Sequence, residues 1–249
     1  MDSAANGKGL NADYPQLPED AGQRIALVSR RFAGLFLFVL ALSADLLLVG
    51  FDVDTSYRLA TKPLIVVGLF LFFARNAVRR GSLRWMLPAL ALSWLGDVLL
   101  LFEGQNPLFF ILGLSAFLLA HVCYCLFFLG LWKQERIRLH LPLAAGVGVY
   151  YAGLLLLLWP VLGTLKLPVA VYGATISLML LLALHCGIMR RRNVGFALLL
   201  GALFFVISDS LLALNRFYAP LPFAGVLIMV TYGLAQWQLV KGALLYGAE

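Results

Sequence analysis

Apolar residues in this chain fall in long, nearly continuous runs that are separated by short polar segments. Each run is about 17–25 residues long, which is the length that an α-helix needs to cross a bilayer. A helix satisfies its own backbone hydrogen bonds in lipid, so it is the expected spanning element. The pattern predicts an all-α polytopic membrane protein with about eight transmembrane helices, at residues 32–50, 60–77, 84–102, 107–131, 141–158, 168–189, 195–214 and 222–240. The second run is the shortest, and Lys62-Pro63 marks its expected helix entry, a position where proline is tolerated.

The composition excludes an ordinary soluble domain. Charged residues make up 12% of the 249 residues and hydrophobic residues 62%, whereas a soluble domain carries about 25% charged residues. Residues 1–30 are polar and lack the basic-then-apolar order of a cleaved signal peptide, so we expect a disordered cytoplasmic tail. Residues 31–241 form the single expected transmembrane domain, and residues 242–249 form a short C-terminal tail.

Basic residues are concentrated in the loops on one side of the predicted helices. Only four of the 19 Lys and Arg residues lie toward the other side, namely Arg58, Lys62, Lys166 and Arg216. Cytoplasmic loops carry the excess of Lys and Arg, so both termini are expected in the cytoplasm. The net charge of +7 then reflects membrane topology, and we expect no nucleic-acid partner.

Two carboxylates lie deep inside apolar spans. Asp97 lies in SWLGDVLLLF and Asp209 in FVISDSLLAL, each toward the outer end of its helix. Insertion scales give a cost of about 2.5–3.5 kcal/mol for such a charge at the helix centre. Intramembrane acids are therefore candidates for function, and the structural alternative is a hydrogen bond between helices.

The surroundings of these two acids resemble each other. LGDVLLL and ISDSLLAL are each followed by a short loop and another span, which contains Ala120-His121 in one case and Ala235-Gln236 in the other. This similarity predicts a parallel internal repeat of helices 3–4 and 7–8 around a shared polar interior. Asp45, in SADLLLVG, lies in a weaker match to this pattern, and we expect it to serve helix packing or to lie at the outer interface.

Five stretches in series resemble the YhhN family of lysoplasmalogenases, which includes the mammalian transmembrane protein 86 members. They cover about residues 60–240 and are TKPL, SWLGDVLLLF, GLSAFLLAHVCY, GALFFVISDSLLALNRF and VTYGLAQ. The resemblance implies an integral membrane enzyme that hydrolyses the vinyl ether bond of lysoplasmalogens. The products would be a fatty aldehyde and glycerophosphoethanolamine or glycerophosphocholine.

The chemistry of vinyl ethers suits a pair of buried carboxyl groups. Cleavage begins with proton delivery to the β-carbon and passes through an oxocarbenium ion that water then attacks. One carboxyl must stay protonated while a second group stabilises the cation, as in glycosidases. We therefore assign Asp97 and Asp209 as the acid and the stabiliser, without choosing between them, and His121 as the group that orients water or a carboxyl.

Further candidates surround these three residues. Lys62, with Arg58 or Arg216, is expected to meet the lipid phosphate as a cation. Four polar residues complete the predicted substrate-binding set, namely Tyr124, Asn215, Tyr232 and Gln236. We expect no metal and no cofactor, because protonated carboxyl chemistry needs no Lewis acid.

The sequence places His121 at a different depth in the membrane from the two aspartates. His121 follows an outer helix start near residue 107, so the rise of 1.5 Å per residue places it roughly 20 Å deep. The aspartates lie roughly 8–10 Å below the outer surface by the same rise. The sequence thus leaves a gap of about 10 Å between His121 and the two acids, which helix tilt or an unwound start to helix 4 at Asn106-Pro107 would close.

The main alternative is a proton-coupled transporter, because paired intramembrane acids on parallel repeats also occur in such carriers. A zinc-dependent lipid amidase would need about three ligands at one site, and one of the three histidines, His140, lies in a loop. The expected partners are a lysophospholipid substrate and membrane lipid. The expected location is the inner (plasma) membrane of a bacterium.

Overall fold

The fold is a bundle of long helices. A computed structural model describes residues 19–77 and 81–248, with side chains described from residue 31 onward. No strand occurs in these two stretches. The helices are α1 (Glu19–Gly50), α2 (Thr55–Asn76), α3 (Met86–Leu101), α4 (Pro107–Gln134), α5 (Leu141–Leu158), α6 (Lys166–Gly187), α7 (Arg192–Ala213) and α8 (Ala224–Ala248). Within the described residues, seven helical segments are long and apolar enough to cross a membrane, and α8 is 25 residues long. The predicted all-α polytopic membrane fold is confirmed.

Several ends differ from the predicted ones. Helix α1 begins at Glu19, inside the segment that we expected as a tail, and α8 continues to Ala248. Residues 1–18 lie outside the described part of the chain, so the predicted domain boundaries stay predictions. A π-helical turn, Leu214–Tyr218, extends α7 toward the loop before α8.

The prediction that Lys62-Pro63 marks the entry of the second helix is wrong. Helix α2 begins at Thr55, because the Asp54 side chain accepts a hydrogen bond from the backbone N–H of Ser56 at 2.7 Å and caps the helix. Pro63 lies inside α2. The earlier start places Arg58 and Lys62 one turn apart on the same helix.

Helices α1 and α2, α3 and α4, and α7 and α8 pack as neighbouring pairs, and α6 lies against both α4 and α7. The close approach of α3 to α4 depends on glycine at position 96, because a Cβ on Gly96 would lie 2.5 Å from the Phe117 ring. A Cβ on Gly201 of α7 would lie 2.9 Å from the backbone nitrogen of Leu239 in α8. These contacts bring the helices that carry Asp97 and Asp209 close to their partners.

The orientation in the membrane and the internal repeat stay predictions, and the first has a direct test. Alkaline phosphatase fused after Gln105 or Tyr218 should be active, because these loops are expected outside the cytoplasm. Fusions after Leu139 or Arg191 should be inactive. The inverse pattern would place the acids toward the other side of the membrane.

Candidate active site

A cavity of about 70 Å³ lies in the interior of the bundle between six helices that include α3 and α7. Asp97 and Asp209 both line it. Asp97 is 2% exposed, and 14% of the Asp209 side chain is exposed. The remaining lining combines Lys62, Tyr172, Ser208 and Tyr232 with apolar side chains. Two carboxyl groups that are 112 positions apart in the chain therefore face one small space.

Asp97 is surrounded by hydrogen-bond donors. Tyr232 Oη donates to Asp97 Oδ2 at 2.6 Å, and Lys62 Nζ lies 3.5 Å from Oδ1. Tyr232 Oη in turn accepts from Gln236 Nε2 at 3.3 Å, and Gln236 Oε1 accepts from Tyr124 Oη at 2.7 Å. Because Gln236 donates to Tyr232, the phenol proton is directed at Asp97. A cation and a phenol thus both compensate negative charge on this carboxylate.

Asp209 has different neighbours. Tyr172 Oη donates to Asp209 Oδ2 at 2.5 Å, and His121 Nε2 lies 3.8 Å from the same oxygen. The sequence pattern did not predict a role for Tyr172, which lies in an apolar stretch of α6. Tyrosine is enriched near the interfaces of membrane helices, and burying it costs far less free energy than burying a charged residue. Its presence in the sequence therefore does not indicate a functional site.

The His121 ring has a defined hydrogen-bonding direction. Its Nδ1 lies 2.7 Å from the carbonyl oxygen of Phe117, which only accepts, so Nδ1 carries a proton. In the neutral ring Nε2 then holds the lone pair. Nε2 is buried without a hydrogen-bond partner and faces Asp209. The ring is held edge-on against Phe205, with 4.6 Å between the ring centroids.

The expected depth gap between His121 and the aspartates is wrong for Asp209. Every Cα–Cβ bond on a helix tilts toward that helix's N-terminus. Helices α4 and α7 run in opposite directions, so the side chains of His121 and Asp209 lean toward each other along the membrane normal. Counting the rise per residue along the backbone ignores this tilt.

A wider polar vestibule of about 520 Å³ adjoins the cavity. Lys62, Leu100 and Leu212 line both spaces, so Lys62 stands at their junction. Arg58 and Asn215 line the vestibule but not the catalytic cavity. The Asn215 side chain accepts a hydrogen bond from the backbone N–H of Leu221 at 2.9 Å, which holds the loop between α7 and α8.

Asp45 lies apart from the cavity. Arg58 binds it through two hydrogen bonds, of 3.1 and 2.9 Å, and Thr61 donates a third at 2.9 Å. Asp45 is fully buried, and these bonds join α1 to α2.

Asp45→Asn should lower the free energy of unfolding by about 1–3 kcal/mol, since it removes the charge that pairs with Arg58. Turnover should stay near that of the unchanged protein, because Asp45 does not line the cavity. Thermal unfolding in detergent measures the first effect, with Asp52→Asn in the exposed α1–α2 loop as the control. Loss of turnover without loss of stability would give Asp45 a role in the reaction.

The described residues contain no group of three or more His, Cys, Asp and Glu side chains arranged to hold a metal ion. His185, the other buried histidine, stacks on Trp132 with 5.0 Å between centroids. Its Nε2 accepts a hydrogen bond from the backbone N–H of His140 at 2.9 Å. These contacts hold the loop between α4 and α5 at the opposite end of the bundle.

Comparison with known proteins identifies the relatives of this chain. The model of the YhhN family matches residues 57–243. A lysoplasmalogenase of Mycobacterium tuberculosis is 36% identical over 169 residues, which are 67% of this chain and 62% of the relative. Lysoplasmalogenase TMEM86B of Rattus norvegicus is 35% identical over 184 residues, covering 74% of this chain and 70% of the relative. TMEM86B of Mus musculus is 34% identical over 214 residues, covering 83% and 84%.

The matched segment thus spans 62% of the length of the mycobacterial relative. No solved structure matches the chain.

Proposed function

This chain belongs to the YhhN family, and we propose that it is a membrane-embedded hydrolase of the vinyl ether bond of lysoplasmalogens. The products are a fatty aldehyde and glycerophosphoethanolamine or glycerophosphocholine. The observation that carries this proposal is one cavity lined by two carboxyl groups with different neighbours. Acid cleavage of a vinyl ether needs such a division between a proton donor and an anion.

The neighbours of each carboxyl suggest its role. Asp97, beside Lys62 and the directed phenol of Tyr232, is suited to be the ionised stabiliser. Asp209, beside a phenol and an imidazole, is suited to be the protonated acid. Tyr172 occupies Asp209 Oδ2, which leaves Oδ1 to carry the transferable proton.

The reaction then proceeds in balanced steps. Asp209 delivers its proton to the β-carbon of the alkenyl group, and the α-carbon becomes an oxocarbenium ion beside the Asp97 carboxylate. Water adds to the α-carbon, and His121 Nε2 accepts the proton that this water loses. The resulting hemiacetal transfers its hydroxyl proton to the glycerol oxygen as that C–O bond breaks, which releases aldehyde and alcohol. His121, whose Nε2 lies 3.8 Å from Asp209 Oδ2, then returns its proton to Oδ1 of the same carboxyl through the next bound water.

We propose that the vestibule receives the polar part of the lipid. Lys62, at the junction of vestibule and cavity, would bind the phosphate as a cation while the vinyl ether reaches the carboxyls. Asn215 is proposed to contact the headgroup from the α7–α8 side. Tyr124 and Gln236 act as positioning residues that direct the Tyr232 hydroxyl toward Asp97.

The test uses purified protein in detergent with lysoplasmenylethanolamine and its saturated ether analogue. We expect aldehyde release from the first substrate alone, since only a vinyl ether can be protonated at carbon to give the oxocarbenium ion. Aldehyde release from neither, together with proton-coupled transport in vesicles, would favour the transporter alternative.

Metal removal gives a further prediction. Prolonged incubation with EDTA should leave turnover unchanged, because each proposed step is carried by side chains of this chain. Activity that disappears with EDTA and returns with zinc would contradict the carboxyl mechanism.

A further inference from the structure

A second cavity borders the active site from the side. It has a volume of about 50 Å³ and lies between α5 and the α6–α7 pair. Leu154, Leu155 and Ile176 are among its apolar walls. Tyr172 and Asp209 line both this space, called here the lateral cleft, and the catalytic cavity. The proposed proton donor therefore borders both the lateral cleft and the catalytic cavity.

The lateral cleft lies deeper in the membrane than the vestibule. It extends from Val169, near the outer start of α6, to Ile176, which the helical rise places about 10 Å further in. A lysolipid in a leaflet keeps its headgroup at the surface and points its chain toward the midplane. The lateral cleft offers such a path inward from the level of Val169.

Helix α5, the outer wall of the cleft, is weakly held. Val147 and Leu158 are its buried residues, within a helix that is described along its whole length. Its contacts are chiefly with α6. A hydrogen bond of 2.7 Å joins Tyr150 Oη and Ser210 Oγ, and Tyr151 Oη donates to the carbonyl of Ala170 at 3.1 Å. Few contacts must therefore break for α5 to move away from α6 and α7.

We infer that the lateral cleft binds the first carbons of the alkenyl chain and opens between α5 and α6 to the bilayer. This inference rests on the proposed function. A long chain cannot fit within about 50 Å³, so its remainder lies along α5 in the lipid. Substrate enters and aldehyde leaves sideways, without the chain passing through water.

A neighbouring cavity of about 40 Å³ is the competing route for the chain. Its lining includes Phe217 and the cationic Arg216, near the outer end of α7. Position and charge both make this space less suitable for a hydrocarbon chain that points toward the midplane.

The test compares Leu155→Trp, which fills the lateral cleft, with Leu156→Trp as a matched control. Leu156 is 74% exposed on the outer face of α5. Each variant is assayed on lysoplasmenylethanolamine with a hexadecenyl chain and on an analogue with a butenyl chain. In Leu155→Trp, kcat/KM for the long chain should fall about tenfold or more relative to the short chain. The ratio should stay unchanged in Leu156→Trp.

Retained cleavage of the butenyl analogue shows that the Leu155→Trp site is intact. An unchanged chain-length ratio in that variant overturns the inference, as does a change that follows Phe217→Trp instead. Should the ratio shift equally in Leu156→Trp, a general effect on α5 insertion would replace the cleft as the cause. Absence of vinyl ether cleavage by the unchanged protein would instead contradict the proposed function itself.

Discussion

Replacing either Asp97 or Asp209 by asparagine should lower kcat by about 10²–10⁴-fold while the protein still folds and inserts. Asparagine has nearly the same size as aspartate and can still accept from Tyr232 or Tyr172, so the helix contacts remain. It can neither donate a proton to carbon nor carry the charge that stabilises a cation. Residues that act as one unit are non-additive, so the double variant should be little worse than either single variant.

Aldehyde release under substrate saturation measures this loss, and melting in detergent checks the fold. Asp45→Asn is the control, because Asp45 is at least as buried as either acid yet does not line the cavity. A structural acid would show a lower melting temperature with turnover kept. Full activity in both the Asp97 and Asp209 variants would mean that these acids only hold helices together.

Lys62→Met should lower kcat about 10²-fold, the size of effect seen when one preorganised electrostatic contact is removed. Lys62 Nζ is 3.5 Å from Asp97 Oδ1, so its loss leaves a buried carboxylate with less compensation and favours uptake of a proton by Asp97. Lys62→Arg keeps the charge and should retain more activity. Lys166→Met, which removes a cation stacked on Trp159 at 5.1 Å, is the control.

An alkenylglycerol without phosphate separates the two proposed roles of Lys62. Action through Asp97 predicts that Lys62→Met also lowers kcat on this substrate. Binding of phosphate alone predicts a raised KM on the phospholipid and unchanged turnover of the alkenylglycerol. The second result would remove Lys62 from the stabilisation of the cation.

The two candidate acids were visible in the sequence because a charge inside an apolar span is costly wherever the helix lies. His121, Tyr124, Tyr232 and Gln236 became site candidates mainly through the resemblance to a family. The sequence did not predict a role for Tyr172, although its hydroxyl donates to Asp209 at 2.5 Å. A phenol near the end of a membrane helix costs little, so nothing in the local pattern distinguishes a tyrosine in a site from one at the interface.

The sequence by itself determined the number and approximate positions of the membrane helices. Every backbone group in lipid must be satisfied within its own span, so this property is local and strong. Which helix faces meet was decided only by the tertiary structure, since spans that are apolar on all sides have no hydrophobic stripe to mark the inward face. The approach of His121 to Asp209, the pairing of Lys62 with Asp97 and the lateral cleft behind α5 all depend on that choice of faces. Close helix packing at glycines such as Gly96 and the opposite tilt of side chains on antiparallel helices are the physical causes.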